Sequence, residues 1–104
     1  DRNNVIFYKG NVKNLPYENE FFDVVFVSQI LFQNEEYEKI LDEGMRILKE
    51  GGYLIILEPN KKLPFVYGTP VSLDAIRAYF QIKNKKIDYQ KLIGDNYYLV
   101  VVLK

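Results

Sequence analysis

Phe22-Asp23-Val24-Val25-Phe26-Val27-Ser28 and Tyr53-Leu54-Ile55-Ile56-Leu57-Glu58-Pro59 are the two stretches whose reading decides the fold. Both are near-continuous runs of β-branched, aliphatic and aromatic residues, which suits strands buried on both faces of a parallel sheet. Between them, Tyr37, Ile40, Leu41, Met45 and Leu48 share one face of a helical wheel. Asn34 followed by Glu35 and Glu36 predicts the helix start, because an amide cap and early acidic residues complement the helix dipole. Arg46 and Lys49 then sit in the last turn, and Gly51-Gly52 predicts a left-handed stop. Strand, helix, strand is a βαβ unit, which joins parallel strands through a right-handed crossover.

Outward from this unit, Val5-Ile6-Phe7-Tyr8 predicts a further strand, closed by the turn formers Lys9-Gly10-Asn11. Downstream, Glu58-Pro59-Asn60 ends the central strand, since proline cannot continue an interior ladder. Residues 61–70 carry aromatic residues and prolines without a period and predict a long loop. Ser72 caps a short helix in which Leu73, Ile76, Tyr79 and Phe80 share a face. Residues 86–93 and 97–103 flank Gly94-Asp95-Asn96 and predict an antiparallel hairpin.

The 104 residues predict a single domain spanning 1–104, with 48% hydrophobic and 27% charged residues, enough to bury a core and keep a solvated surface. Fourteen basic residues balance fourteen acidic ones, so general nucleic-acid binding or an anionic membrane surface is not expected. With no cysteine and no histidine, disulfides, thiolate metal sites and imidazole catalysis are excluded, leaving carboxylates, tyrosines and amides. No apolar run approaches the roughly 20 residues of a membrane span, and the N-terminus lacks the layout of a signal peptide. The expected location is cytoplasmic. A start at Asp1 reads as a processed chain or as the interior of a longer polypeptide.

Three stretches carry a family resemblance: Gly10-Asn11-Val12-Lys13-Asn14-Leu15-Pro16-Tyr17, then residues 22–28, then Leu41-Asp42-Glu43-Gly44-Met45-Arg46-Ile47-Leu48-Lys49-Glu50-Gly51-Gly52-Tyr53-Leu54-Ile55-Ile56. In this order and spacing the chain resembles the C-terminal half of class I S-adenosylmethionine-dependent methyltransferases of the type 11 kind. The resemblance implies an α/β fold: a Rossmann-like, doubly wound, mostly parallel sheet ending in an antiparallel hairpin, without the N-terminal βαβα portion. It implies S-adenosylmethionine across the carboxyl ends of the strands, where open α/β sheets bind their ligands. The Gly-x-Gly loop that the family places in its N-terminal half has no counterpart here, because Gly51-Gly52 follows a helix and precedes a strand.

By the same resemblance, Asn11 stands where the family usually has an aspartate accepting from the adenine amino group, and the Val12 amide would reach a ring nitrogen. Ser28, Gln29 and Ile30 would border the cofactor and the methyl-transfer path. Each has a structural alternative: Asn11 as a turn residue beside Gly10, and Ser28 and Gln29 as polar groups satisfying a strand end. Glu58, at the end of a buried strand, is the candidate proton acceptor; its alternative is a strand-terminal charge facing solvent. Pro64, Phe65 and Tyr67 are candidates for an acceptor wall or for cover over the sheet edge. Asp23 reads as structural, bonding turn amides near the strand start, and Glu43 with Arg46 as a local helix pair worth a few tenths of a kcal/mol.

Methyl transfer from a sulfonium to an unidentified acceptor, as part of a larger or complemented protein, is one function that follows. A catalytically inactive, methyltransferase-like interaction module is the other. A nucleotide-binding hydrolase ranks last, because neither a phosphate loop nor a nucleophile elbow occurs. In the family the first strand of the sheet lies between the strands corresponding to 5–8 and 22–28. Without it, the chain is expected to re-pair its strands, to form a homodimer, or to bind a complementing N-terminal half.

Overall fold

The computed structural model describes the backbone of residues 5–8 and all atoms of residues 14–31, 35–62 and 68–104. Seven elements follow in order: β1 (Val5–Tyr8), β2 (Phe22–Ser28), α1 (Tyr37–Ile47), β3 (Leu48–Pro59), α2 (Leu73–Ile82), β4 (Ile87–Ile93) and β5 (Tyr97–Leu103). The strands form one sheet in the order β1-β2-β3-β5-β4. β1, β2 and β3 are parallel, and β5 inserts antiparallel between β3 and β4. This is the mostly parallel α/β sheet with a closing hairpin that the sequence predicts.

β1 lies directly beside β2, Val5 level with Val24 and Tyr8 with Val27. The core sits on one face, where Val25 and Val27 of β2, Leu54 and Ile56 of β3, and Val100 and Val102 of β5 are inaccessible to solvent. Against them pack Ile40, Leu41 and Ile47 of α1 and Ile76 and Phe80 of α2, in one continuous cluster. Both helices therefore cover the same face. Among the described residues no helix covers the other, so the doubly wound expectation is met on one side only.

The junction between α1 and β3 departs from the sequence reading. The helix ends at Ile47, and Leu48 is already extended (φ −87°, ψ 134°). Leu48 pairs with Phe22 in the sheet rather than extending the helical stripe, and the register then jumps so that Val24 faces Tyr53. The intervening residues bulge. Gly51, at φ +83°, supplies the left-handed turn within the strand rather than at the helix end. A Cβ on Gly52 would stand 2.6 Å from the Asp23 carbonyl oxygen, so only glycine fits this approach. Leu48 wins this competition because full burial in the sheet outweighs one more turn of helix.

At the other end of α1, Asn34 lies outside the described residues. Glu36 occupies the cap position without a capping side-chain bond, and its carboxylate pairs with Lys39 instead. α2 matches its prediction: Ser72 Oγ accepts from the Ala75 amide at 3.1 Å, and Leu73, Ile76, Tyr79 and Phe80 are buried. No helix among the described residues is long and apolar enough to cross a membrane.

Candidate functional site

In parallel strands all carboxyl ends lie at one edge of the sheet, and the loops leaving them converge there. Ser28 ends β2 level with Leu57 of β3. Gln29 follows with φ +58°, a left-handed conformation that a non-glycine residue adopts at a cost. Its amide donates to the Leu57 carbonyl at 3.2 Å, and its side chain is exposed. The chain then turns inward, burying Ile30 and Leu31.

Glu58 holds that turn. Its side chain is inaccessible to solvent, and Oε2 accepts from the amides of Ile30 at 2.9 Å and Leu31 at 3.2 Å. Two successive backbone N–H groups aimed at one carboxylate oxygen are charge-assisted bonds, roughly twice as strong as neutral ones. The reading of Glu58 as a charge facing solvent is corrected: the even positions of β3 face the core, and the carboxylate is accommodated there by the loop amides that need an acceptor. Tyr98 is level with Glu58 on β5. Burial first, and the Glu58 charge second, push its phenol well above the ordinary tyrosine range, so it stays a neutral donor. That hydroxyl donates to the Val71 carbonyl at 2.6 Å.

Two residues later, Asn60 extends the same arrangement. Its Oδ1 accepts from the Leu73 amide at 2.8 Å, at the start of α2, and its own amide donates to the Asn96 carbonyl at 2.6 Å in the hairpin turn. The run Glu58-Pro59-Asn60 thus fastens three loops at the carboxyl end of the sheet. Sequence reasoning took Asn60 only as a strand terminator and passed over Tyr98. An amide directly after the strand-breaking proline, and a tyrosine opposite a buried glutamate, were the available signals.

Beside this hub lies a cavity of about 350 Å³, lined by Glu35 and Tyr37 at the start of α1 and by residues 69–72 and Ala75 before and within α2. Its volume is within the range of small-molecule pockets. A second cavity, of about 410 Å³, lies between the far end of α2 and β4 and touches none of the hub residues. No grouping of acidic residues among those described could hold a metal ion.

A second carboxylate organises the loop between β1 and β2. Glu43 accepts from the Leu15 amide at 2.6 Å and takes both Nε and Nη2 of Arg46, at 2.9 and 2.6 Å. Arg46 also donates to the carbonyls of Tyr17 and Leu15 and to Asn19 Oδ1. The guanidinium, with the loop amide as a further ligand, keeps the Glu43 carboxyl below the usual carboxylate range against the opposing effect of burial. The expected local helix pair is therefore a clip between α1 and residues 15–19. Asp23 bonds Lys49 at 3.4 Å rather than turn amides.

Of the predicted site residues, Ile30 and Glu58 are in direct contact, with Ser28 and Gln29 on the same turn. Asn11, Val12, Pro64, Phe65 and Tyr67 lie outside the described residues.

A mostly parallel sheet with a closing antiparallel hairpin, its strand-end loop pinned at the carboxyl edge, defines the chain as an α/β protein of the Rossmann-like class. The family model for the methyltransferase domain matches residues 1–56, and the chain belongs to that family. It is 40% identical over 60 residues to the ubiquinone/menaquinone biosynthesis C-methyltransferase UbiE of Yersinia pestis, covering 58% of this chain and 24% of that protein. It is 31% identical over 80 residues to the demethylmenaquinone methyltransferase of Lactococcus lactis, covering 77% and 30%. A solved S-adenosylmethionine-dependent methyltransferase from Aquifex aeolicus superposes with a TM-score of 0.70 at 18% identity, over 91% of this chain and 52% of that one. The [4+2]-cyclase SpnF superposes at 0.74 and 15% identity, over 88% and 53%. The chain thus spans about a quarter of these curated relatives and about half of these solved structures. A cyclase on the same fold shows that the fold alone does not set the reaction.

Proposed function

We propose that this chain forms part of an S-adenosylmethionine-dependent methyltransferase, contributing one side of the cofactor site and part of the acceptor pocket. The observation that carries the reading is the turn Ser28-Gln29-Ile30-Leu31, fixed by buried Glu58 at the carboxyl edge of the sheet. The fit to the cofactor is good on this side: a hydroxyl and an exposed amide side chain stand at the strand end beside the apolar Leu57, suited to the edge of a base and its sugar. By the family resemblance Asn11 and Val12 complete that wall. S-adenosylmethionine, when bound, supplies the activated methyl group.

The chain's own work is then positional, since displacement at a sulfonium methyl needs an aligned acceptor more than dedicated acid–base machinery. Tyr37, Pro70, Val71 and Ala75 offer apolar surface to an acceptor, and Thr69, Ser72 and Glu35 offer polar contacts. A small, largely apolar acceptor with a few polar groups fits this lining. The quinone-pathway methyltransferases named above favour an aromatic one. Glu58 enters as the residue that holds the cofactor-side loop, its side chain buried and its Oε2 committed to two amides. A cytoplasmic location goes with this reading.

Calorimetric titration of the chain with S-adenosylmethionine tests it. Binding that weakens at least tenfold in Gln29→Ala, with the circular dichroism spectrum retained, is expected. Absence of binding both to the chain and to its complex with a complementing methyltransferase half would leave the inactive interaction module as the better reading. Glu58→Gln separates the two roles of the carboxylate. A loop-holding role predicts that Glu58→Gln, which keeps an acceptor oxygen, retains most cofactor binding and turnover while Glu58→Ala weakens binding, and a proton-accepting role predicts unchanged binding with lost turnover in Glu58→Gln in the complemented enzyme.

A further inference from the structure

The charge of this chain balances over its length but not along it. Arg77, Lys83, Lys85, Lys86 and Lys91 fall within residues 77–91, where Asp88 is the one acidic residue. The fold sorts these five cations. Lys83 pairs with Asp42 of α1 at 3.4 Å and lies over the Tyr79 ring, and Lys91 stands level with Leu99 on the face away from the helices. Arg77, Lys85 and Lys86 remain, and all three line the cleft of about 410 Å³ between α2 and β4. No carboxylate is among its lining residues.

The turn that ends α2 puts the two lysines there. Asn84 takes φ +58°, its amide donates to the Gln81 carbonyl at 3.0 Å, and the Lys85 amide donates to the Phe80 carbonyl at 2.8 Å. These are the paired bonds of a Schellman stop, which reverses the chain and leads it into β4. Cations at a helix C-terminus commonly complement the dipole. Here backbone amides already take the carbonyls of Tyr79, Phe80 and Gln81, so Lys85 and Lys86 are not needed as caps. Neither ammonium has an acceptor among the described residues. On the helix side, Arg77 Nε donates to Gln90 Oε1 at 2.9 Å, tying α2 to β4, and Nη1 donates to Asp74 at 3.1 Å. Its Nη2 has no acceptor among the described residues. A guanidinium already held by two bonds loses less freedom when its last nitrogen takes a ligand. Phe80, 1% exposed, and half-buried Ile87 supply apolar lining, and the side-chain amides of Gln81 and Asn84 add polar contacts.

Three cations in one cleft with an apolar floor match a single phosphate group carrying a small organic body. A nucleic acid or an anionic membrane needs a longer basic track, and Lys83 and Lys91 are turned to other uses. We propose that the cleft between α2 and β4 binds a small phosphate monoester, its phosphate held by Arg77, Lys85 and Lys86 and its organic part laid on Phe80 and Ile87. The site lies at the opposite end of α2 from the acceptor cavity and does not depend on the methyltransferase reading.

The test titrates phenyl phosphate into the 104-residue chain, followed by calorimetry and by amide chemical shifts. Saturable one-to-one binding is expected, at least threefold tighter than that of inorganic phosphate, with shifts at the amides of residues 84–87. Lys85→Gln and Lys86→Gln together should weaken it at least tenfold, and Lys91→Gln should leave it unchanged. All three side chains are exposed, so the substitutions preserve the fold. Binding that Lys91→Gln reduces as much as the lysine pair does, or that inorganic phosphate matches, would reveal diffuse charge rather than a site and overturn the proposal. So would a folded chain that does not bind millimolar phenyl phosphate. A short oligonucleotide or an anionic vesicle that binds without competition from phenyl phosphate overturns it too, since the basic surface would then serve a macromolecule.

Discussion

The two faces of the sheet are built from the same kinds of residue and have opposite fates. Val25, Leu54, Ile56, Val100 and Val102 are sealed beneath two helices, while Val24, Ile55, Leu57, Leu99 and Val101, one position away along the same strands, retain contact with solvent. Residue type does not separate them. The direction of the crossovers does: α1 and α2 both follow connections leading away from β1, so one face receives every helix described. The functional turn at Gln29 sits at the boundary, held from the covered side by Glu58. Coverage of one face thus fixes the loop geometry, while the other keeps contact with solvent.

The comparison is broken most severely by truncating matched neighbours. Leu54→Ala should cost about 2–5 kcal/mol, because it opens a cavity in a fully buried position. Ile55→Ala, the next residue, should cost about 1 kcal/mol or less, since its side chain has no helix packed over it. Urea melts of the two variants read this difference. Equal losses would mean that the open face is covered in solution.

Glu58 comes next. Glu58→Ala should destabilise by about 2–6 kcal/mol, because the amides of Ile30 and Leu31 lose their acceptor in a dry environment at about 1–3 kcal/mol each. Glu58→Gln keeps an acceptor oxygen and should lose less than half as much. Amide hydrogen exchange locates the effect. Faster exchange at Ile30 and Leu31, with β5 protection unchanged, places it in the loop; uniform acceleration would show instead that Glu58 supports the whole core.

The strands, the closing hairpin and the second helix were legible because their signals are local: continuous apolar runs, the period of Leu73, Ile76, Tyr79 and Phe80, the serine cap, and turn formers between two β-rich segments. The end of α1 was not. Gly51-Gly52 carries the same composition whether it stops a helix or relieves a bulge, and only the pairing of Leu48 with Phe22 decides. Glu58 was located in the sequence by its strand-end position, but its burial depends on amides 27 and 28 residues away. Arg46 was misjudged for the same reason, since most of its partners lie in residues 15–19 rather than along its own helix. The open face was invisible because both faces of the strands read as buried, and coverage is a property of topology.

Arg46 gives a smaller effect with a pH signature. Arg46→Ala should cost about 1–3 kcal/mol, as the half-buried guanidinium leaves Glu43 and the carbonyls of Leu15 and Tyr17 without their donor. Glu43 has its folded pKa lowered, so its stabilising contribution is complete above the unfolded value of 4.5 and is lost as pH falls through the lower folded value. Stability measured between pH 6 and pH 3 should therefore fall more steeply in the parent than in Arg46→Ala. At the alkaline end the sign reverses. Tyr79 and Tyr98 are both raised, chiefly by burial, so stability is complete below the ordinary tyrosine value of 10.0 and declines above it as the unfolded chain ionises first.

The smallest effect tests how tightly the covered face is fastened at its margin. Ser72 is half-buried at the start of α2, and its hydroxyl satisfies one of the first-turn amides. Ser72→Ala should cost about 1 kcal/mol, the usual worth of such a cap. The neighbouring Leu73 amide keeps its own acceptor on Asn60, so fraying should stop at the first turn. Exchange should quicken at Ala75 and stay slow at Tyr79 and Phe80, which are held by packing against the sheet. If the Ser72→Ala loss spread to Phe80, α2 would be held mainly by its cap, and the difference between a sealed face and an open one would be narrower than their burial implies.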